Sequence, residues 1–106
     1  MTPELKEAWI TALLSGAYTQ GKGRLYDEQT DSYCCLGVLC DLHSKETGKK
    51  WGSLSGEVKF YESQINLPSL EVLNWAGLSA DDRKELADLN DSGADFFQVA
   101  AWISRD

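Results

Sequence analysis

The stretch Cys34-Cys35-Leu36-Gly37-Val38-Leu39-Cys40-Asp41-Leu42-His43 constrains this chain most. It holds all three cysteines and the only histidine. Read as a helix, it places Leu36, Leu39, Cys40 and His43 on one side, with Cys35, Val38 and Leu42 on the adjoining side. A segment this apolar must lie inside a core, and it is far shorter than the roughly 20 residues a membrane span needs. Gly37 within it costs about 1 kcal/mol against alanine, so a close helix or backbone contact is expected there. Gly48 closes the helix, with Lys45, Lys49 and Lys50 near its negative end.

Two kinds of chemistry compete for the same residues. As metal ligands, Cys34, Cys35, Cys40 and His43 read C-C-x4-C-x2-H. Structural zinc sites pair ligands as C-x2-4-C and draw a second pair from a distant knuckle. Adjacent helical cysteines point about 100° apart, and only Cys40 and His43 share a face. As a nucleophile, Cys34 or Cys35 would gain from a helix N-terminus. Its base would have to be His43, roughly 12 Å down the same helix from Cys35 and out of hydrogen-bond reach. Neither a metal ligand set nor a catalytic residue is therefore assigned, and no cofactor is expected. The cysteines read as small buried hydrophobes.

The flanking segments give the architecture. Thr2, Pro3 and Glu4 predict the start of a first helix, with Leu5, Trp9, Ala12, Leu13 and Gly16 on one face and Gly16 as its stop. Arg24-Leu25-Tyr26 and Ser32-Tyr33 predict a hairpin across the turn of residues 27–31. Residues 57–61 read as a further strand. Pro68 is expected to open a short helix ended by Gly77. Ser79 with Asp82 predicts a capping box for the next helix, and residues 95–105 form the last, with Phe96, Val99, Ala100 and Ile103 on its buried face. The expectation is one α+β domain over residues 1–106: four or five helices packed on a small two- or three-stranded antiparallel sheet. The first helix, the cysteine helix and the last helix should make its core.

Charge narrows the partners. The net charge is −7, and residues 62–106 carry nine acids against three bases. Nucleic-acid binding needs a basic footprint, so none is expected. An acidic half suits a basic partner, or mere solubility. Four tryptophans and 42% apolar residues argue for a folded chain. The N-terminus lacks a basic region followed by an apolar run, which with three cysteines predicts a reducing, cytoplasmic setting and no membrane partner. Homo-oligomerisation is left open.

Two loops invite a ligand. Residues 88–99 match an EF-hand loop at Asp88, Asn90, Ser92 and Gly93, but place Asp95 at the apolar position and Val99 at the bidentate one. Asn90, Asp91 and Asp95 therefore read as turn and cap residues. In Gln20-Gly21-Lys22-Gly23-Arg24, backbone N–H groups and two cations are arranged to meet a phosphate or carboxylate, though the P-loop pattern is absent. Gln20, Lys22, Arg24 and Tyr18 are the candidate ligand-binding residues.

Trp9, Gly16, Tyr18, Gln20, Gly21, Gly23, the run Cys34 to Cys40, and Leu89-Asn90-Asp91 with Gly93 together resemble a family of small proteins of tailed phages and prophages. The last helix departs from that family, with Gln98-Val99 where relatives carry Glu-Ile. The resemblance implies a phage protein working in the host cytosol and carries no activity with it. The resulting expectation is a non-enzymatic accessory protein that neutralises a host antiviral-defence factor. It would do so by inhibiting a host protein or by sequestering a small nucleotide signal. A small cysteine hydrolase and a phage structural or assembly protein are the alternatives.

Overall fold

Thr2 Oγ1 accepts a hydrogen bond from the Leu5 N–H at 3.2 Å, and Pro3 brings a backbone angle that is already helical. These two residues start α1 (Pro3–Leu14) as the sequence predicts. Ser15 caps its other end, and Gly16 follows with φ +78°. The structure is a computed structural model describing residues 1–54 and 58–105. Glu57, the first residue of one expected strand, lies outside them.

The chain continues through β1 (Thr19–Gln20), β2 (Tyr26–Asp27), β3 (Ser32–Tyr33), α2 (Cys35–Thr47), β4 (Gly52–Leu54) and β5 (Val58–Phe60). It ends in α3 (Leu70–Ala76), α4 (Ala80–Asp91) and α5 (Phe96–Arg105). The α+β class with five helices is as expected. Strand order is β1-β3-β2-β5-β4. The predicted hairpin forms between β2 and β3, with Tyr26 opposite Tyr33, but its first strand takes in Asp27 from the expected turn and leaves out Arg24 and Leu25. β1 adds to it in parallel, and the β4–β5 hairpin joins through the single pair Asp27–Val58. The sheet is thus a three-stranded group and a two-stranded one, mixed rather than wholly antiparallel. A two-residue strand such as β1 carries no periodic signal.

Helix α2 lies at the centre. Its residues Cys35 to Cys40 are buried without exception. Burying Leu36 or Leu39 alone is worth about 1.5–3 kcal/mol. A Cβ placed on Gly37 would run into the backbone carbonyl of Leu25. The glycine is therefore what lets the segment leading into β2 lie against the helix. Helix α1 packs on α2 and α5, and Trp9, fully buried, donates from Nε1 to the Cys35 carbonyl at 3.1 Å.

The remaining helix starts are side-chain caps. Ser79 and Asp82 exchange hydrogen bonds of 3.0 and 3.1 Å, the expected capping box. Asp95 and Gln98 do the same at 2.9 Å in both directions. Helix α3 begins one residue beyond Ser69, whose hydroxyl accepts from the Val72 N–H, and not at Pro68. A hydroxyl that fills an orphan amide sets the boundary more firmly than a fixed φ does.

Candidate functional site

The Gln20–Arg24 turn is sewn to the end of α4. Gln20 Nε2 donates to Asn90 Oδ1 at 3.0 Å and to the Ala94 carbonyl at 2.7 Å. Asn90 Nδ2 donates to the Gly21 carbonyl at 2.8 Å. Asn90 Oδ1 also accepts from the Cys35 N–H at 3.1 Å. The Gly23 N–H donates to Asp91 Oδ1 at 3.0 Å. Asn90 is completely buried, so it is a hub of the fold rather than the turn residue its sequence context suggested. One N–H of the turn, that of Gly23, is taken by a carboxylate of the protein's own, Asp91.

The four candidate ligand residues consequently have different fates. Gln20 spends its donor group inside the molecule. Tyr18 donates its hydroxyl to Asp41 at 2.6 Å and accepts from Lys45 at 3.1 Å. Burial and the Asp41 carboxylate raise its pKa. Lys22 is exposed and Arg24 half-buried, and neither has a hydrogen bond or ion pair among the described residues.

The thiols are all free and buried. Cys34 is the N-cap of α2, its Sγ accepting from the Gly37 N–H at 3.3 Å. A helix N-terminus favours a thiolate, but desolvation outweighs it here and pushes the Cys34 pKa up to about 11. Burial likewise raises Cys35 and Cys40. A general base would have no acidic thiol to work on.

His43 has other partners. Its Nδ1 shares a 2.6 Å hydrogen bond with the Tyr61 hydroxyl. Trp75 and Tyr61 stand edge-on to its ring at 4.8 and 5.6 Å between centroids. Nε2 faces Glu71 Oε2 at 3.5 Å, and Lys49 Nζ bridges Glu71 at 2.5 Å and Glu62 at 3.1 Å. Sequence reading missed this cluster, because Lys49, Glu62 and Glu71 come from three separate segments with no shared spacing.

An aromatic band runs on from there. Trp51 lies tilted between Tyr61 (5.1 Å) and Tyr26 (6.0 Å), and Tyr33 touches Tyr26 (4.6 Å) and Tyr18 (5.0 Å). Asp41 accepts from Trp51 Nε1 at 3.2 Å beneath it. Asp31 accepts the Tyr26 hydroxyl and lifts its pKa to about 12. Neighbouring centroids 4.6–6.1 Å apart put these rings in mutual contact, the spacing of ordinary aromatic packing.

The surface is acidic and open. A groove of about 520 Å³ between α1, α2 and α3 is lined by Leu5, Ala8, Leu42 and Trp75, with Glu4 and Glu46 among its walls. On α4, Asp81, Glu85 and Asp88 follow each other at i, i+4 and i+7, all exposed. Glu85 accepts from Trp102 Nε1 of α5, and Lys84 offsets Asp88 at 2.8 Å. Phe97 of α5 is 69% exposed and Leu70 of α3 68%. No helix among the described residues is long and apolar enough to cross a membrane.

Fold and site define a small α+β protein whose polar residues mostly serve its own architecture, with an acidic, partly apolar exterior. The chain belongs to the family described as a domain of unknown function, DUF8296, whose model matches residues 1–106. Neither a curated protein nor a solved structure matches it.

Proposed function

We propose that the protein is a non-enzymatic phage accessory protein that binds a host antiviral-defence protein directly and neutralises it. The supporting observation is the exposed carboxylate row Asp81, Glu85 and Asp88 on α4, beside an α5 that leaves Phe97 in solvent. Charge complementarity of this kind steers association with a basic partner, and an exposed aromatic ring supplies an anchor. The cysteine hydrolase reading lacks support, since burial keeps each thiol protonated. Nucleotide sequestration keeps only Lys22 and Arg24 of its proposed contacts, because Gln20 and Tyr18 are engaged internally.

The experiment expresses the chain in a host whose defence system restricts a phage, and recovers what it binds. The expected result is restored infection and capture of a component of that system. The triple change Asp81→Lys, Glu85→Lys, Asp88→Lys should lose both while its circular dichroism stays that of the parent. Unchanged restriction, with no defence component captured, overturns the proposal. Capture of a nucleotide without a protein would move the function to the Lys22 turn.

A further inference from the structure

We propose that His43, Glu62 and Glu71 form a binding site for a divalent transition-metal ion of the zinc class, which Lys49 occupies in the ion's place. The proposal is independent of the host-factor reading. One imidazole and two carboxylates leave a fourth position for water, the pattern of an open zinc site.

The geometry is close to what the ion requires. Tetrahedral zinc with bonds of about 2.0–2.1 Å keeps its ligand atoms roughly 3.3 Å apart. His43 Nε2 and Glu71 Oε2 stand 3.5 Å apart. That is long for a hydrogen bond and close to right for two ligands of one ion. One donor atom each from His43, Glu62 and Glu71 lies within 4.8 Å of the others. His43 is buried, and its orientation is held from behind. With the proton on Nδ1 and donated to Tyr61 Oη, Nε2 presents its lone pair toward the carboxylates, the outer-shell arrangement that ligating histidines use.

The backbone under Glu62 adds a separate observation. Glu62 and Ser63 both have positive φ, +53° and +65°. They are the central pair of a two-residue turn closed by Tyr61 N–H to Gln64 O at 2.8 Å and Gln64 N–H to Tyr61 O at 2.9 Å. Such turns favour Asn-Gly, and a glutamate there is strained. The turn delivers Tyr61 to one nitrogen of His43 and the Glu62 carboxylate to the cluster facing the other.

Lys49 Nζ sits between the two carboxylates as a stand-in cation. Its side chain is 43% exposed and that of Glu71 51%, so the ammonium can withdraw into water when an ion arrives. Ion and lysine compete for the same charge, and this competition is what the test exploits.

The full chain, stripped with a chelator, is titrated with zinc by calorimetry and with cobalt(II) by visible absorption. The expected result is one ion per chain, with the intense visible bands of four-coordinate cobalt and no thiolate charge-transfer band. Lys49→Met should bind zinc roughly thirtyfold more tightly, as removal of one positive charge about 4 Å from a divalent ion in a water-like medium predicts. Glu71→Gln and Glu62→Gln should each weaken it by about tenfold or more. His43 is in the core, so the surface-reaching partners carry the test. Absence of binding at millimolar metal in both parent and Lys49→Met overturns the proposal. So does a thiolate band, or undiminished affinity in folded Glu71→Gln.

Discussion

The carboxamides of Gln20 and Asn90, 70 residues apart in sequence, are joined by a 3.0 Å hydrogen bond in the interior edge of the fold. Through this bond β1 and the end of α4 become one unit, and Asn90 fastens the first amide of α2 to both. Leucine at position 90 would leave the Cys35 N–H and the Gly21 carbonyl without their partner. Orphaned groups of this kind cost about 1–3 kcal/mol each, so Asn90→Leu should lose about 3 kcal/mol. For a chain of this size that lowers the melting temperature by roughly 12–24 °C. Thermal and urea unfolding would measure it, and a loss under about 1 kcal/mol would show that Asn90 is no hub.

The buried thiols predict alkaline instability. Each is protonated in the folded chain, with Cys34 raised from 9.0 to about 11 by burial. In the unfolded chain the same thiols ionise near their ordinary value. As pH rises, the unfolded state therefore loses protons first and is favoured. This share of the stability is complete below about pH 9 and is lost as pH climbs toward and past 11, at up to about 1.4 kcal/mol per pH unit for each thiol. Cys34→Ser keeps an N-cap for the Gly37 N–H and removes one such share. Urea unfolding across this range should show a shallower decline for the variant. Equal slopes would mean that Cys34 ionises freely in the fold.

How much of this was readable from the chain depends on the range of the interaction involved. Thr2, Ser79 with Asp82, and Gly48 act within a few residues, and each sits at the helix end that its type predicts. Gly37 announced a close contact because a helix-interior glycine needs a reason, although its partner, the Leu25 carbonyl, was not nameable. Asn90 and Asp91 were misassigned to a turn because their partners, Gln20, Gly21 and Gly23, lie about 70 residues away. Helix rise alone separated His43 from Cys35, two turns up the same helix. Its actual neighbours Tyr61, Glu71 and Trp75 come from elements that only tertiary packing brings near.

Gly37 offers the sharpest test of packing. Alanine is ordinarily the better helix former by about 1 kcal/mol. Here the added methyl meets backbone, the Leu25 carbonyl, which cannot turn aside as a side chain could. Leu25 is itself fully buried, and its N–H is bound to the Ile65 carbonyl at 2.8 Å, so the segment is held from both sides. Gly37→Ala should therefore destabilise by about 3 kcal/mol or leave the chain unfolded. Chemical denaturation decides between this and the propensity effect, which has the opposite sign.

Phe97 and Leu70 should behave in the reverse way. Both are large and apolar, yet about two-thirds exposed, so neither gains much from the fold. Phe97→Ser and Leu70→Ser should each change unfolding free energy by no more than about 0.5 kcal/mol, whereas Leu36→Ala should cost 2–5 kcal/mol, roughly the usual range for a buried leucine. If the α4–α5 exterior docks a partner, Phe97→Ser should weaken that capture by about tenfold, since exposed aromatic anchors are worth 1 kcal/mol or more, roughly, once buried at an interface. Parallel denaturation and capture measurements separate the two roles. A Phe97→Ser chain that captures its partner as well as the parent would remove α5 from the interface.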